Sequence, residues 1–114
     1  MVIKFENLPQ RDLCIQNGNG MTHLRDLTNK EGLYGHGRLF AHMTVEPGNS
    51  FGYHQHLNEV EFFYILKGEG VFTDNGEEII VRPGDLCVTG HEEHHSMENR
   101  SNENLELLAL IIQE

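Results

Sequence analysis

Basic residues are scarce in this chain. Eight Lys plus Arg stand against eighteen Asp plus Glu, a formal net charge of −10 over 114 residues. Binding to nucleic acid or to an anionic membrane surface draws on Lys and Arg to neutralise phosphate, so the deficit argues against both kinds of partner. Cysteine is scarcer still: Cys14 and Cys87 are the only two, far apart and outside any CxxC. Neither a disulfide framework nor a zinc ribbon is suggested. No apolar run reaches the length of a membrane span, and the opening MVIKFENLPQRDLCIQNGNG contains none of signal-peptide length. The expectation is a cytoplasmic protein. Helical periodicity over three turns, internal repeats and linkers are also missing, so residues 1–114 are expected to form a single domain.

What is present is dense turn punctuation. GNG at 18–20, PG at 47–48, KGEG at 67–70, DNG at 74–76, PGD at 83–85 and NRSNEN at 99–104 separate short runs rich in Val, Ile, Phe and Tyr. GVFT-DNG-EEIIV reads as a hairpin turning on Asn-Gly. Short strands at this spacing predict an all-β sandwich or barrel. In EFFYILK, Glu61, Phe63 and Ile65 face one way and Phe62, Tyr64 and Leu66 the other. Leu105, Leu107, Ala109 and Ile111 alternate with Glu106, Leu108, Leu110 and Ile112. Both strands carry apolar residues on two faces. The outer one must be covered by a second sheet, the N-terminal segment or another subunit, and a homodimer with twofold symmetry is predicted on that ground.

Histidine is abundant. There are eight, and five fall in two groups: His54 with His56, and His91 with His94 and His95. If residues 53–57 are extended, His54 and His56 project from one face, about 6.5–7 Å apart. Two imidazoles so placed can converge on one ion, and with a carboxylate they suit a transition metal rather than Ca or Mg. Glu61 has the wrong parity for that face. A turn at Leu57–Asn58–Glu59 would restore it, and Asn58 suits such a turn.

Gly48-x5-His54-x-His56-x4-Glu61-x6-Gly68 resembles the first motif of the cupin superfamily at every defining position. The second motif is matched where Gly84-Asp85 opens it and where His95-Ser96-Met97-Glu98-Asn99 closes it. Between them Gly90 and Glu92 stand where Pro and Gly are expected. The motifs cover residues 48–68 and 84–99. The resemblance implies a small cupin β-barrel, jelly-roll-like, of two packed antiparallel sheets. It also implies one divalent transition metal ion per chain (Fe, Mn, Ni, Zn, Co or Cu), held by His54, His56, Glu61 and His95. Such a set leaves one or two coordination positions open, the mark of a reactive or ligand-binding ion.

The implied function is that of a metalloenzyme acting on a compact oxygen-bearing small molecule by oxygenation or isomerisation. The alternative is a module that binds a small ligand or the ion without turnover. Phe63 and Ile65 share the inward parity of Glu61, and Met97 shares that of His95, so these three are expected to line the substrate pocket. His42 is the fourth candidate. Leu39, Ala41, Met43 and Val45 form the apolar face of its strand, which leaves His42 with Arg38, Phe40 and Thr44 toward solvent or the cavity rim. No catalytic residue is assigned; His42, Met43 and Arg38 are the only side chains on offer for acid–base work. His91 and His94 are expected in an irregular loop, Tyr53 and Cys87 in packing, Asp85 in a turn. Glu59 reads as a solvated turn residue, or else as the acceptor for the second nitrogen of a ligand histidine.

Overall fold

Alternation in the three longest strands decides where the core lies. The computed structural model describes residues 1–114, and its longest strands are β3 (Gly37–Val45), β5 (Glu59–Lys67) and β10 (Leu105–Gln113). β10 lies between the other two, antiparallel to both. Register therefore stacks their inward residues in rows: Leu107 beside Met43 and Ile65, Ala109 beside Ala41 and Phe63, Ile111 beside Leu39 and Glu61. All but Leu39 are buried. With β1 (Gln10–Leu13), β2 (Thr22–Thr28) and β8 (Leu86–Thr89) they form a six-stranded sheet in the order β1-β2-β3-β10-β5-β8.

The second sheet has four strands, β4 (Ser50–Gln55), β6 (Gly70–Asp74), β7 (Glu77–Val81) and β9 (His94–Glu98), in the order β4-β9-β6-β7. Phe51, Phe72, Val81 and Met97 point from it into one apolar cluster with the inner face of the first sheet. The two packed antiparallel sheets are the cupin-type barrel that the motifs imply. The hairpin β6–β7 turns as expected, with Asn75 and Gly76 both at positive φ (47° and 91°), which matches the twist of its strands. Gly68 also earns its place. Its φ is +81°, and a Cβ there would come within 2.4 Å of the Asn104 carbonyl.

Helix is confined to two 3₁₀ turns, Phe5–Asn7 and Ile15–Asn17. The second is a strap laid against β4: the Gln16 carbonyl sits 1.9 Å from where a Cβ on Gly52 would be, so only glycine admits it. Gln16 and Asn17 are both left-handed there (φ 51° and 58°). The strap closes over one end of the barrel. It does not reach the outer face of the large sheet, where Tyr64, Leu66, Leu86 and Val88 are exposed.

Candidate metal centre

The strand alternation brings four separated residues to one end of the barrel. His54 lies on β4 opposite His95 on β9. His56 follows just past the end of β4, Asn58 turns the chain at φ 58°, and β5 then starts at Glu59 with Glu61 facing inward. The predicted turn is therefore a residue shorter than expected, because Glu59 already pairs in the sheet. His56, Glu61 and His95 are buried and His54 is half-buried.

The donor atoms converge. The Nε2 atoms of His54, His56 and His95 form a near-equilateral triangle with sides of 3.2, 3.0 and 3.1 Å. Glu61 Oε1 lies 3.0 Å from His56 Nε2 and 3.1 Å from His95 Nε2. It has no such contact with His54 within 4.0 Å, while all four ligand atoms lie within 4.8 Å of one another. With metal–ligand bonds of about 2.1 Å, neighbouring corners of an octahedron are about 3.0 Å apart and opposite corners about 4.2 Å, whereas tetrahedral corners are about 3.4 Å apart. The donor spacings are those of a six-coordinate ion, which the four residues would hold while leaving coordination positions for a ligand.

Each imidazole is aimed by its other nitrogen. Nδ1 of His54 meets the Gly52 carbonyl at 2.6 Å, that of His56 meets Glu59 Oε2 at 3.0 Å, and that of His95 meets Thr89 Oγ1 at 2.7 Å. The Gly52 carbonyl and the Glu59 carboxylate can only accept, so in the neutral rings of His54 and His56 the proton lies on Nδ1 and the Nε2 lone pair faces inward, and the Thr89 hydroxyl can serve His95 in the same way. Burial holds the His54 imidazole below its ordinary pKa, helped by its two histidine neighbours. His56 is raised, first by its hydrogen bond to Glu61. Burial alone would raise the Glu61 carboxyl, but contacts with His56 and His95 outweigh it and the group lies below its usual range. A carboxylate and three nitrogens in a buried cluster could hold a divalent transition metal, and the donor chemistry fits one.

Glu59 is not a solvated turn residue. Arg38 donates to it from Nε (3.1 and 3.2 Å) and Nη2 (2.8 Å), and Glu59 in turn receives His56 Nδ1–H. The 16-residue wall of a cavity of about 520 Å³ includes His54, His56 and Glu61. Of the four residues expected at the pocket, Phe63 lines it. Ile65 and Met97 have the right parity but lie deeper, fully buried in the core. His42 is on the other side of the sheet altogether. It bonds Glu106 at 3.1 Å and meets the Phe5 ring edge-on, because Ala41 and Met43, its neighbours in the strand, take the inward positions. The wall instead draws on Leu39, Met43 and Phe51, on Arg11 and Arg38, and on the strap from Cys14 to Asn17. The turn-forming GNG after the strap was the one sequence mark of that closure.

His94 and His91 stay outside the cluster: His94 stacks on exposed Tyr53, and His91 Nδ1 accepts the Asn58 N–H. The departures in the second motif are absorbed locally. Glu92 adopts φ 68°, the backbone that the expected glycine would supply, and its N–H donates to the His56 carbonyl at 2.7 Å. Asn99, fully buried, donates to the carbonyls of Val45 and Glu103 (2.8 and 2.7 Å) and ties the β9–β10 loop to β3.

The sequence pattern of the family described as "Cupin domain" matches residues 41–111. A Thermotoga maritima protein named oxalate-binding protein is 43% identical over 113 residues, which cover 98% of this chain and 93% of that one. The crystal structure of a T. maritima protein described as a predicted oxalate decarboxylase superposes over the whole of both chains, with a TM-score of 0.95 and 41% identity. A polyketide cyclase from Streptomyces resistomycificus shares the fold at 16% identity, with a TM-score of 0.82 over 100% of this chain and 80% of its own.

Proposed function

The chain belongs to the cupin family, and from that premise we propose that it binds a small chelating carboxylate of the oxalate class through one divalent transition metal ion. His54, His56, Glu61 and His95 hold the ion. The observation that carries this reading is the convergence of three imidazole Nε2 atoms and a carboxylate on one point, a donor set that suits a divalent transition metal. An ion held by four residues would have room for a ligand with two neighbouring oxygens, and a relative at 43% identity carries the name oxalate-binding protein. When bound, the ion supplies a Lewis acid that polarises a ligand oxygen. This chain's own residues aim the ligands, through Gly52, Glu59 and Thr89, and cover them with an apolar wall.

Binding is favoured over dedicated acid–base turnover. The cavity wall has no His, Tyr, Lys or carboxylate beyond the ligand set, and His42, which could have served, lies outside. A second reading, decarboxylation or oxygenation driven by the ion itself, is favoured by the relative described as a predicted oxalate decarboxylase. Elemental analysis of tag-free protein, followed by calorimetric titration with oxalate, tests the proposal. The expected result is one metal per chain and saturable binding that chelation of the metal abolishes. Protein free of metal when purified, or metal-loaded protein indifferent to oxalate, overturns it. We also assign a homodimer formed through the exposed apolar residues Tyr64, Leu66, Leu86 and Val88. A monomer in sedimentation at micromolar concentration counts against that assignment.

A further inference from the structure

The cavity is larger than the ligand its metal end would grip. A two-carbon diacid has about six non-hydrogen atoms, which at a water molecule's share of about 30 Å³ each fill about a third of it. The rest of the wall has two characters. Leu39, Met43, Phe51, Phe63 and Ile111 make it apolar, while Arg11 and Arg38 are, apart from Glu61, the only charged residues lining it. The chain has only eight basic side chains, and two of them share this wall.

Both arginines are clamped in the same way. Arg11 places Nε and Nη2 on Asp26 (2.8 and 3.2 Å), and Arg38 places the same two nitrogens on Glu59. Neither Asp26 nor Glu59 lines this cavity, so each carboxylate holds one edge of its guanidinium outside it; Asp26 and both arginines also border a neighbouring pocket of about 540 Å³. In both, Nη1 makes no hydrogen bond within the chain and keeps two donors for a ligand. A guanidinium fixed on one edge is pre-organised for a planar anion. The carboxylates that hold them cancel most of their far field, so what the two arginines offer an incoming anion is short-range hydrogen bonding. Two hydrogen bonds and one imidazole ring separate Arg38 Nη2 from His56 Nε2, a path of at most about 8 Å.

We propose that the preferred ligand is a 2-hydroxy or 2-oxo acid of about four or five carbons with a second carboxylate, and that Arg38, seconded by Arg11, binds that distal carboxylate. The proposal rests on the metal-dependent reading above. The chelating head would bind at the ion, the carbon chain would cross the apolar wall, and the far charge would meet Arg38 and Arg11.

The test is calorimetric titration of metal-loaded protein with three probes: oxalate, 2-hydroxyglutarate, and 2-hydroxypentanoate, which has the same length but ends in a methyl group. The expected result is that 2-hydroxyglutarate binds about ten-fold or more tighter than 2-hydroxypentanoate. Arg11→Gln should reduce that difference, with oxalate and 2-hydroxypentanoate changing less than about three-fold, since Asp26 touches no ligand residue. Arg38→Gln should erase the difference and Arg38→Lys restore part of it, with metal content measured on each variant because Arg38 also holds Glu59 against His56. Equal affinities for the matched pair overturn the proposal, and so does an Arg11→Gln variant that weakens all three probes alike. If oxalate binds and the pair is indistinguishable, only this specificity is wrong. If none of the probes binds, the metal-dependent reading falls and this one with it.

Discussion

The inward face of β5 and β9 is a ligand cluster at one end and hydrocarbon at the other. On β5, Glu61 is followed by Phe63 and Ile65; on β9, His95 is followed by Met97 and then Asn99, and all six are buried. Residues on one strand face are about 6.5–7 Å apart, so a single step leads from coordinating groups to packed side chains. Phe63 makes the junction, its ring stacked on His95 at 5.1 Å. The ends differ in how their polar atoms are matched. At the end away from the cluster Asn99 is fully satisfied: its amide donates to Val45 and Glu103, and its oxygen accepts from Ser101. At the cluster every Nδ1 has a partner but the Nε2 atoms face only each other and Glu61. Complete pairing holds a fold together, whereas capacity left over at one point is what a ligand can use.

Substitutions at the two ends should therefore separate metal from stability. His56→Ala is expected to have the largest effect, taking metal from about one ion per chain to nearly none while circular dichroism remains that of a β-sheet protein. A variant that keeps its metal would break the comparison at its centre. Met97→Ala should do the reverse. It leaves a void in a fully buried site and should cost about 3 kcal/mol in denaturant unfolding, with metal content unchanged. Altered ligand preference at undiminished stability would place Met97 in the pocket after all. Glu59→Gln acts at one remove from the ion. It weakens the hold on His56 and should lower metal affinity by about 10- to 100-fold in competition with a chelator. Wild-type affinity in that variant would mean that Arg38 and Glu59 aim nothing.

Two smaller effects sharpen the contrast away from the cluster. His23 sits between Glu46 and Asp12, away from the cluster, and hydrogen bonds to these carboxylates raise its pKa above the ordinary 6.5. Its charged contacts are therefore complete below pH 6.5 and lost as the pH rises through the higher folded value. His23→Gln should lower the melting temperature more at pH 6 than at pH 9. The difference should correspond to less than about 1 kcal/mol, because the groups are partly exposed to solvent. An equal loss at both pH values would remove the electrostatic explanation. Glu92→Gly should be the mildest, raising stability by about 0.5 kcal/mol as the left-handed backbone loses its side-chain clash. A clear loss of stability would show that the Glu92 side chain contributes something the backbone does not.

The strands, the Asn-Gly hairpin, the turn at Asn58, the inward parity of Glu61, Phe63 and Ile65, and the alternation of Leu105, Leu107, Ala109 and Ile111 were legible in the sequence, because each depends on residues a few positions apart. His54, His56 and Glu61 fall in one motif and His95 in a second, and it was the family resemblance that joined the two. Parity names a face, however, and not a depth along it. Ile65 and Met97 point inward as predicted and still miss the cavity, and His42 falls on the outer face because its strand turns Ala41 and Met43 to the core. The strap over the cavity, the hold of Arg38 on Glu59 and the pairing of β10 between β3 and β5 join residues 21 or more positions apart. Local alternation determined which side chains could meet, and only the packing of distant strands, with its long-range register and close backbone approach, decided which of them share a cavity.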